Sequence, residues 1–297
     1  AANKDYTKIK NLKITGEISA QDFYFMRDSM ENLAALNLKE VIIRGGEQRL
    51  TGGAQGVYPH NDYEIPYEAL RGKKSLNLLV LPDKLTKIGI AAFADDQNIT
   101  GSLIIPEGVT EIEVGAFYDC RSMNGTLSLP STLKYLGRGI DLWWYGGVFT
   151  YCGFTSELIL PNNLECIAGN NTFAGCEGLH GELRFPEKLT EISDGAFNGC
   201  KSLTGSITIP QGVHKLPTSV FQFCDNLNGT LTLPDGITSI GYNCFQGCAL
   251  KGELKLPKNL TVIADEVFNG CDFSGELVLP KTIRSIGKRA FANNWRL

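Results

Sequence analysis

Nine of the twelve prolines in this 297-residue chain recur at a nearly constant interval, and this repeat constrains the fold more than any other feature. The successive intervals are 24, 24, 31, 25, 24, 24, 23 and 23 residues. The prolines concerned are Pro82, Pro106, Pro130, Pro161, Pro186, Pro210, Pro234, Pro257 and Pro280. A unit of this length cannot bury its apolar side chains alone, so the repeat predicts a solenoid of stacked units.

Each unit has the pattern of two short strands followed by a turn. Leucine or isoleucine alternates with other residues before the proline, as in Leu231-Thr-Leu233, which indicates a strand with one buried face. Proline ends this strand because it has no N–H to donate. The β-branched run from Ile237 to Ile240 favours a second strand. A small residue, a phenylalanine and, three residues later, a cysteine then predict a compact turn with a buried ring, as in residues 196–200.

Seven of the nine cysteines stand three residues after a repeat phenylalanine: Cys120, Cys152, Cys176, Cys200, Cys224, Cys248 and Cys271. Equivalent residues of adjacent coils lie about 4.8 Å apart, whereas a disulfide needs Cβ atoms about 3.8 Å apart and a skewed dihedral angle. We therefore expect free, buried thiols that pack as small apolar groups. Cys166 occupies a strand position outside this series, and we expect it to be the one exposed thiol.

The units resemble the leucine-rich repeats of BspA-like bacterial surface proteins, which read roughly L-x-x-I-x-I-P-x-x-V-x-x-I-G-x-x-A-F-x-x-C. Residues 203–210 and 237–248 follow that pattern closely, apart from a one-residue extension with glycine before the first strand and Cys244 in place of alanine. The resemblance spans about residues 65–297. It implies a leucine-rich-repeat solenoid, mostly β with short turns or helical turns in each coil, that serves as a scaffold for recognition.

Residues 1–64 depart from the repeat, and we interpret them as an N-terminal α+β cap. The cap would cover the apolar end of a solenoid formed by residues 65–297, which comprises the nine proline-marked coils and a degenerate first unit. In that first unit Leu70 takes the place of the phenylalanine. No linker separates the two regions, so we expect one continuous structural unit.

The cap carries its own local signals. Ser19–Asp22 has the pattern of a capping box, and the apolar residues that follow recur at helical intervals, which predicts a helix over about residues 22–33. Those apolar residues are Phe23, Met26, Met30 and Leu33. Residues 38–43 read as a strand, and residues 44–63 read as a glycine-rich loop.

Charge and residue spacing argue against several classes of function. The net charge of −4 is unlike the basic surplus of nucleic-acid binders, and no run of 18 apolar residues predicts a transmembrane segment. The three histidines have no metal-ligand spacing, and Cys176 and His180 fit a repeat thiol and its adjoining turn better than a nucleophile and its base. We therefore predict no catalytic residues, no metal, no cofactor and no enzymatic activity.

One long insertion interrupts the repeat between Leu136 and Val148. Eleven residues stand there, where the unit of Leu216 has three, and they include Trp143, Trp144 and Tyr145. Insertions in solenoids form loops on one face, and aromatic side chains dominate many interfaces or stack on sugars. We interpret these three residues as the first ligand-binding candidate. The alternative is that a tryptophan folds back and fills a gap in the stack.

The second candidate is the exposed row of side chains beside the second strand. Read one coil at a time, this row mixes polar residues at low charge density, which suits a protein or glycan partner and offers no phosphate-binding track. Its candidate contacts are Lys134, Tyr135, Glu165 and His214. The alternative is an ordinary solvated sheet face.

The leading functional prediction is a non-enzymatic, cell-surface or secreted recognition module that binds proteins. The resemblance implies adhesion to host or neighbouring-cell proteins, such as matrix components. We expect the protein to be a monomer. The alternative is a carbohydrate-binding accessory protein that uses the aromatic insertion. Residues 1–6 lack the features of a signal peptide, and on the resemblance alone we expect a mature form from which that segment has been removed.

Overall fold

The computed structural model describes residues 5–49, 57–139 and 146–297, and these form a mostly β solenoid with little helix. The predicted fold class is confirmed. Each coil contributes one second strand. In chain order these strands are β5 Glu64–Ile65, β7 Lys87–Ile88, β9 Glu111–Glu113, β11 Tyr135–Arg138, β12 Cys166–Ile167, β14 Glu191–Ile192, β17 Lys215–Leu216, β19 Ser239–Ile240, β21 Val262–Ile263 and β23 Ser285–Ile286.

The remaining strands of the repeats are shorter and less continuous. Strands that precede the proline are β6 Leu78–Val80, β8 Leu103–Ile104, β10 Leu127–Ser128, β16 Ile207–Thr208 and β18 Leu231–Thr232. Four further pairs of residues bridge neighbouring coils, namely β13 Gly181–Glu182, β15 Leu203–Thr204, β20 Lys251–Gly252 and β22 Asp272–Phe273. Strand pairing in the repeats is parallel, as a solenoid requires.

The second strands form a parallel ladder that, in the described part of the chain, is interrupted once, between Ile192 and Leu216. The residue after each second strand normally donates its N–H to the preceding coil, as Gly241 does to the carbonyl of Leu216 at 2.8 Å. Pro217 holds that position in its coil and has no N–H. The ladder is therefore divided into a six-stranded and a four-stranded sheet.

Stacked phenylalanine rings form the centre of the core. Neighbouring rings have centroids 5.1 to 5.7 Å apart and planes within 5 to 22° of each other. The ladder consists of Phe93, Phe117, Phe149, Phe173, Phe197, Phe221, Phe245, Phe268 and Phe291, the last of which is only partly buried. The phenylalanine register predicted from the sequence is confirmed.

All nine cysteines are free and buried. The prediction for the seven repeat thiols is confirmed, but the expectation of an exposed Cys166 is wrong. In the repeat series each thiol donates to the carbonyl of the preceding coil's phenylalanine, as Cys176 does to Phe149 at 2.9 Å. Cys166 is 2% exposed, and its Sγ donates to Glu191 Oε2 at 2.9 Å. Side chains of the adjacent coils cover it, which the alternation of a single strand does not reveal.

The amino-terminal segment continues the stack. Strand β1 Asn11–Ile18 pairs in parallel with β2 Ala35–Ile43, which pairs in parallel with β6 of the first proline-marked coil. The short 3-10 helix η1 Tyr6–Lys8 precedes β1, and helix α1 Ala20–Ser29 connects β1 to β2. The segment therefore contributes two coil-like layers rather than a separate lid.

Two predicted boundaries and one predicted loop in this segment are wrong. Helix α1 ends at Ser29, before Leu33, because the backbone leaves the helical region at Met30. The Lys73 ammonium of a later coil donates to the carbonyls of Arg27 and Met30 at this end of the helix. The capping box is present, since the Ser19 N–H donates to Asp22 Oδ2 at 2.8 Å.

The other two differences lie after the helix. Strand β2 begins at Ala35 rather than 38, because its first residues pair with β1. The predicted glycine-rich loop contains an antiparallel hairpin of β3 Gly46–Arg49 and β4 Val57–His60. Period-2 alternation in β3 and β4 is weak, so the sequence pattern did not distinguish them from loop.

Candidate functional site

The second-strand ladder places one side chain of each coil beside its counterpart in the next. Tyr135 is the register partner of Glu111 on one side and Cys166 on the other. The row just before it contains Lys134 and Glu165, which are likewise neighbours, because the Glu165 N–H donates to the Lys134 carbonyl at 2.9 Å. The backbone therefore fixes the spacing of these side chains.

Of the four predicted contacts in this row, the structure brings three together. The Tyr135 hydroxyl donates to Glu165 Oε2 at 3.1 Å, and Lys134 is exposed beside them. His214 is exposed two coils farther along the same row, on the other side of the interruption at Pro217. His214 is thus a separate position on the same face.

Arg138 is a contact that the sequence analysis missed. Its guanidinium carbon lies 3.5 Å from the centroid of the Tyr135 ring, a close cation–π contact. Arg138 stands eight residues after Pro130, and the same position of other coils holds residues as different as Val114 and Asp194. Because this position is not consistently apolar, the sequence contains no signal that identifies Arg138.

A partly buried ion cluster extends this surface across the two preceding coils. Lys87 Nζ lies 2.6 Å from Glu113 Oε1 and 3.9 Å from Glu111 Oε2. Glu113 also accepts the Ile90 N–H at 3.1 Å. Burial raises the pKa of Glu113, while the hydrogen bond from Lys87 acts in the opposite direction. The ion pairs of Lys87 with the two carboxylates and the hydrogen bond from the Ile90 N–H hold these side chains in place, so the geometry of the cluster is preorganised.

We call this continuous surface the Tyr135 patch. It comprises Lys87, Glu111, Glu113, Lys134, Tyr135, Arg138, Glu165 and Glu191. Cys166 lies beneath it, and burial together with the bond to Glu191 raises the pKa of its thiol to about 12. The thiol is therefore protonated near neutral pH and acts as a hydrogen-bond donor, since nucleophilic reactivity requires the thiolate.

The same face beyond Pro217 has a different character. It forms a shallow trough with a floor of small residues, Pro217, Gly241, Ala264 and Gly287. Tyr242, which is 55% exposed, stands at its edge. Among the described residues, the trough has no stacked aromatic–cation pair of the kind formed by Tyr135 and Arg138, so the Tyr135 patch is the stronger binding candidate.

The predicted aromatic contacts Trp143, Trp144 and Tyr145 lie outside the described residues, and their role stays a prediction. The structure describes the two ends of the insertion. Arg138 of the Tyr135 patch lies near its start, and Gly146 near its end is so close to the Tyr118 ring that a Cβ there would collide with the ring.

Neither a metal site nor a transmembrane helix is found in the described ranges. Within them, no cluster of three histidine, cysteine or acidic residues is arranged to hold a metal ion. In the same ranges, no helix is long and apolar enough to cross a bilayer.

Comparison with known proteins identifies a repeat family. A family model described as a BspA type leucine rich repeat region matches in six copies, over residues 63–140, 145–274 and 205–297. No curated protein matches the chain.

Several solved structures are similar in fold. They include a T. pallidum leucine rich repeat protein, 26% identical with a TM-score of 0.41, covering 68% of this chain and 74% of that one. A leucine rich cell surface protein from Faecalibacterium prausnitzii is 21% identical with a TM-score of 0.48, covering 97% and 76%. A leucine-rich repeat protein from Bacteroides ovatus is 20% identical with a TM-score of 0.39, covering 85% and 92%.

Proposed function

Because the chain belongs to the BspA-type leucine-rich repeat family, we propose that it is a non-enzymatic recognition module on the cell surface or outside the cell. It acts as a monomer and binds proteins, including host matrix components or proteins of neighbouring cells, through the Tyr135 patch. The repeat family and the solenoid fold support a protein-interaction module in general. The particular partner and the adhesive role are our proposal.

The observation that carries this proposal is the stacking of Arg138 on Tyr135 at 3.5 Å. Tyrosine and arginine are enriched among the residues that dominate binding energy at protein interfaces. The Tyr135 hydroxyl is held by Glu165, and the backbone beneath is held by the ladder. A partner would therefore meet side chains that lose little conformational freedom on binding.

The charges of the Tyr135 patch favour a folded protein surface as partner. Lys87, Lys134 and Arg138 alternate with the carboxylates of Glu111, Glu113, Glu165 and Glu191. A polyanion such as nucleic acid would meet repulsion from four carboxylates, whereas a protein surface with both signs of charge is complementary.

A panel of purified extracellular matrix proteins, measured by surface plasmon resonance, tests the proposal. We expect at least one to bind, and we expect Tyr135→Ala/Arg138→Ala to weaken that binding by more than about tenfold, equivalent to about 1.4 kcal/mol. Lys288→Ala is the matched control, because Lys288 has the same register position in the last coil as Arg138 and should leave binding unchanged. Equal binding by the double variant would refute the assignment.

The aromatic insertion supports a second candidate function, a carbohydrate-binding accessory role through Trp143, Trp144 and Tyr145. The supporting observation is that the longest interruption of the repeat contains two adjacent tryptophans. A Trp143→Ala/Trp144→Ala variant that loses binding on a glycan array and keeps its melting temperature would support this role. A much lower melting temperature with intact binding would show instead that the rings are part of the core.

A further inference from the structure

The turn around each repeat phenylalanine contains a left-handed residue two positions after the ring. At all nine such positions φ lies between 57° and 76°. Seven are glycine, asparagine or aspartate, which tolerate this conformation: Asp95, Asp119, Gly175, Gly199, Gly247, Gly270 and Asn293. The two exceptions are Tyr151 and Phe223, and bulky side chains are strained there.

Both exceptional aromatic side chains are also exposed, Tyr151 by 49% and Phe223 by 47%. Each ring lies against a glycine of the next coil. A Cβ at Gly175 would collide with the Tyr151 ring, and one at Gly247 would come within 3.0 Å of Phe223 Cδ1. An aromatic ring that is both strained and exposed adds little to the core, so its presence twice in one register points to a binding role.

Tyr151 and Phe223 stand three coils apart on the same edge of the solenoid, a separation of about 14 Å at about 4.8 Å per coil. Two open coils lie between them, and Gly199 there has no side chain to obstruct a ligand. A short linear chain of rings would therefore touch both aromatic residues while lying along the edge.

Amide side chains follow the phenylalanines along this edge. Asn198, Gln222 and Gln246 occupy the position directly after the ring in successive coils, and each is partly exposed. Gln222 Nε2 donates to Gln246 Oε1 at 2.5 Å. Amides both donate and accept hydrogen bonds, as sugar hydroxyls do, so rings and amides together suit a carbohydrate.

The cations that border this edge are already paired. Lys201 Nζ lies 2.7 Å from Glu177 Oε1, and Arg121 is ion-paired with Asp119. Sulfated or phosphorylated glycans would need an uncompensated cation, whereas a neutral sugar needs aromatic faces and amides.

We propose that the Tyr151–Phe223 edge, defined by Tyr151, Asn198, Phe223 and Gln222, binds a neutral polysaccharide. Sugar rings stack on Tyr151 and Phe223, and the two amides hydrogen-bond to hydroxyl groups. This site is separate from the Tyr135 patch, which lies on the second strands, and it uses none of the tryptophans of the insertion.

Affinity electrophoresis in native gels tests this inference, with xyloglucan, galactomannan or a soluble β-1,3-glucan in the gel. We expect at least one polysaccharide to retard the protein, and Tyr151→Gly/Phe223→Gly to lose at least about tenfold in apparent affinity. The melting temperature of that variant should stay equal or rise, because glycine relieves the left-handed strain at both positions.

Three variants serve as controls. Asn293→Gly makes the same backbone change in the same register without removing a ring, and Tyr242→Ala removes an exposed ring from the other face; neither should change retardation. Tyr151→Phe keeps the stacking ring and should retain most of the affinity.

The inference is overturned if no polysaccharide retards the wild-type protein, or if the glycine double variant is retarded equally. It is also overturned if that variant instead loses binding to a matrix protein, because the edge would then be a protein-binding surface. Tyr135→Ala/Arg138→Ala should keep its retardation, so failure of the proposed function and failure of this inference are distinguishable.

Discussion

Asp96 occupies the position that a cysteine fills in seven other coils, three residues after a repeat phenylalanine. Its side chain is fully buried; Oδ1 accepts the Lys73 N–H at 2.5 Å, and Oδ2 has no hydrogen-bond partner among the described residues. Burial raises the pKa of Asp96 well above its usual range. In the last coil the equivalent residue is Asn294, whose amide donates to the Phe268 carbonyl at 2.7 Å. The first and last coils with a repeat phenylalanine thus replace the thiol by a polar side chain. The Asn294 amide is hydrogen-bonded, whereas one carboxylate oxygen of Asp96 has no partner among the described residues.

We predict that Asp96→Asn stabilises the protein at pH 7 by about 1–3 kcal/mol, the cost of an unsatisfied buried polar group. The folded state binds the Asp96 proton more tightly than the unfolded chain. The contribution of Asp96 to the free energy of unfolding is therefore fully present at pH values below its pKa in the unfolded chain. It declines as the pH rises toward the pKa of Asp96 in the folded protein. Urea unfolding at several pH values should show a gain that is small near pH 4 and larger at pH 7.

Asn294→Asp is the reverse change at the equivalent position of the last coil. It removes the amide donor that bonds to Phe268 and should destabilise the protein, more at pH 7 than at pH 4. If Asp96→Asn lowers stability at pH 7 instead, a charged Asp96 is favourable where it stands, and our assignment of a raised pKa is wrong.

We also predict that a thiol reagent labels few or none of the cysteines in the native protein. Burial raises the pKa of the Cys176, Cys224 and Cys166 thiols to about 12. Few thiolates therefore form near neutral pH, and the reagent does not reach them. Titration in denaturant should release all nine thiols. Rapid native labelling of Cys166 would restore the sequence-based expectation of an exposed thiol.

At the scale of elements, the phenylalanine ladder is the feature that the sequence predicts best. The phenylalanine and the cysteine occupy the same position in successive coils, and the backbone of each coil repeats that of the one before. Burial of these side chains in one coil therefore predicts their burial in the others. The end of helix α1 was predicted less well, because Leu33 continues the helical spacing while being buried from the following turn. Burial of Cys166 depends on Glu191 of the next coil, and alternation within one strand contains no information about it. Arg138 stacks on Tyr135 of its own strand beside a register shift, which a regular period-2 pattern does not predict.

Phe197→Ala should destabilise the protein by about 3–5 kcal/mol, because a fully buried ring is lost and a cavity remains. Phe223→Ala is the matched comparison, since this ring is 47% exposed, and it should cost far less. Urea unfolding of the two variants measures the difference. Equal losses would contradict the ladder as the centre of the core.

At the scale of the whole molecule, the stack presents chemically distinct surfaces on one scaffold. Regular side-chain rows on the second strands carry the Tyr135 patch, and the turns carry the Tyr151–Phe223 edge. Pro217 divides the strand ladder, while the phenylalanine turns remain hydrogen-bonded across that junction, as in the bond from the Phe197 N–H to the Val220 carbonyl at 2.9 Å. The scaffold therefore stays continuous while its binding face changes character.

Hydroxyl-radical footprinting of the protein, alone and bound to a matrix protein from the plasmon-resonance panel, tests the central claim most directly. We predict that oxidation of Tyr135 falls several-fold in the complex, while oxidation of the exposed Tyr242 on the other side of Pro217 is unchanged. Protection of Tyr242 with Tyr135 unaffected would contradict the assignment of the Tyr135 patch as the protein-binding surface.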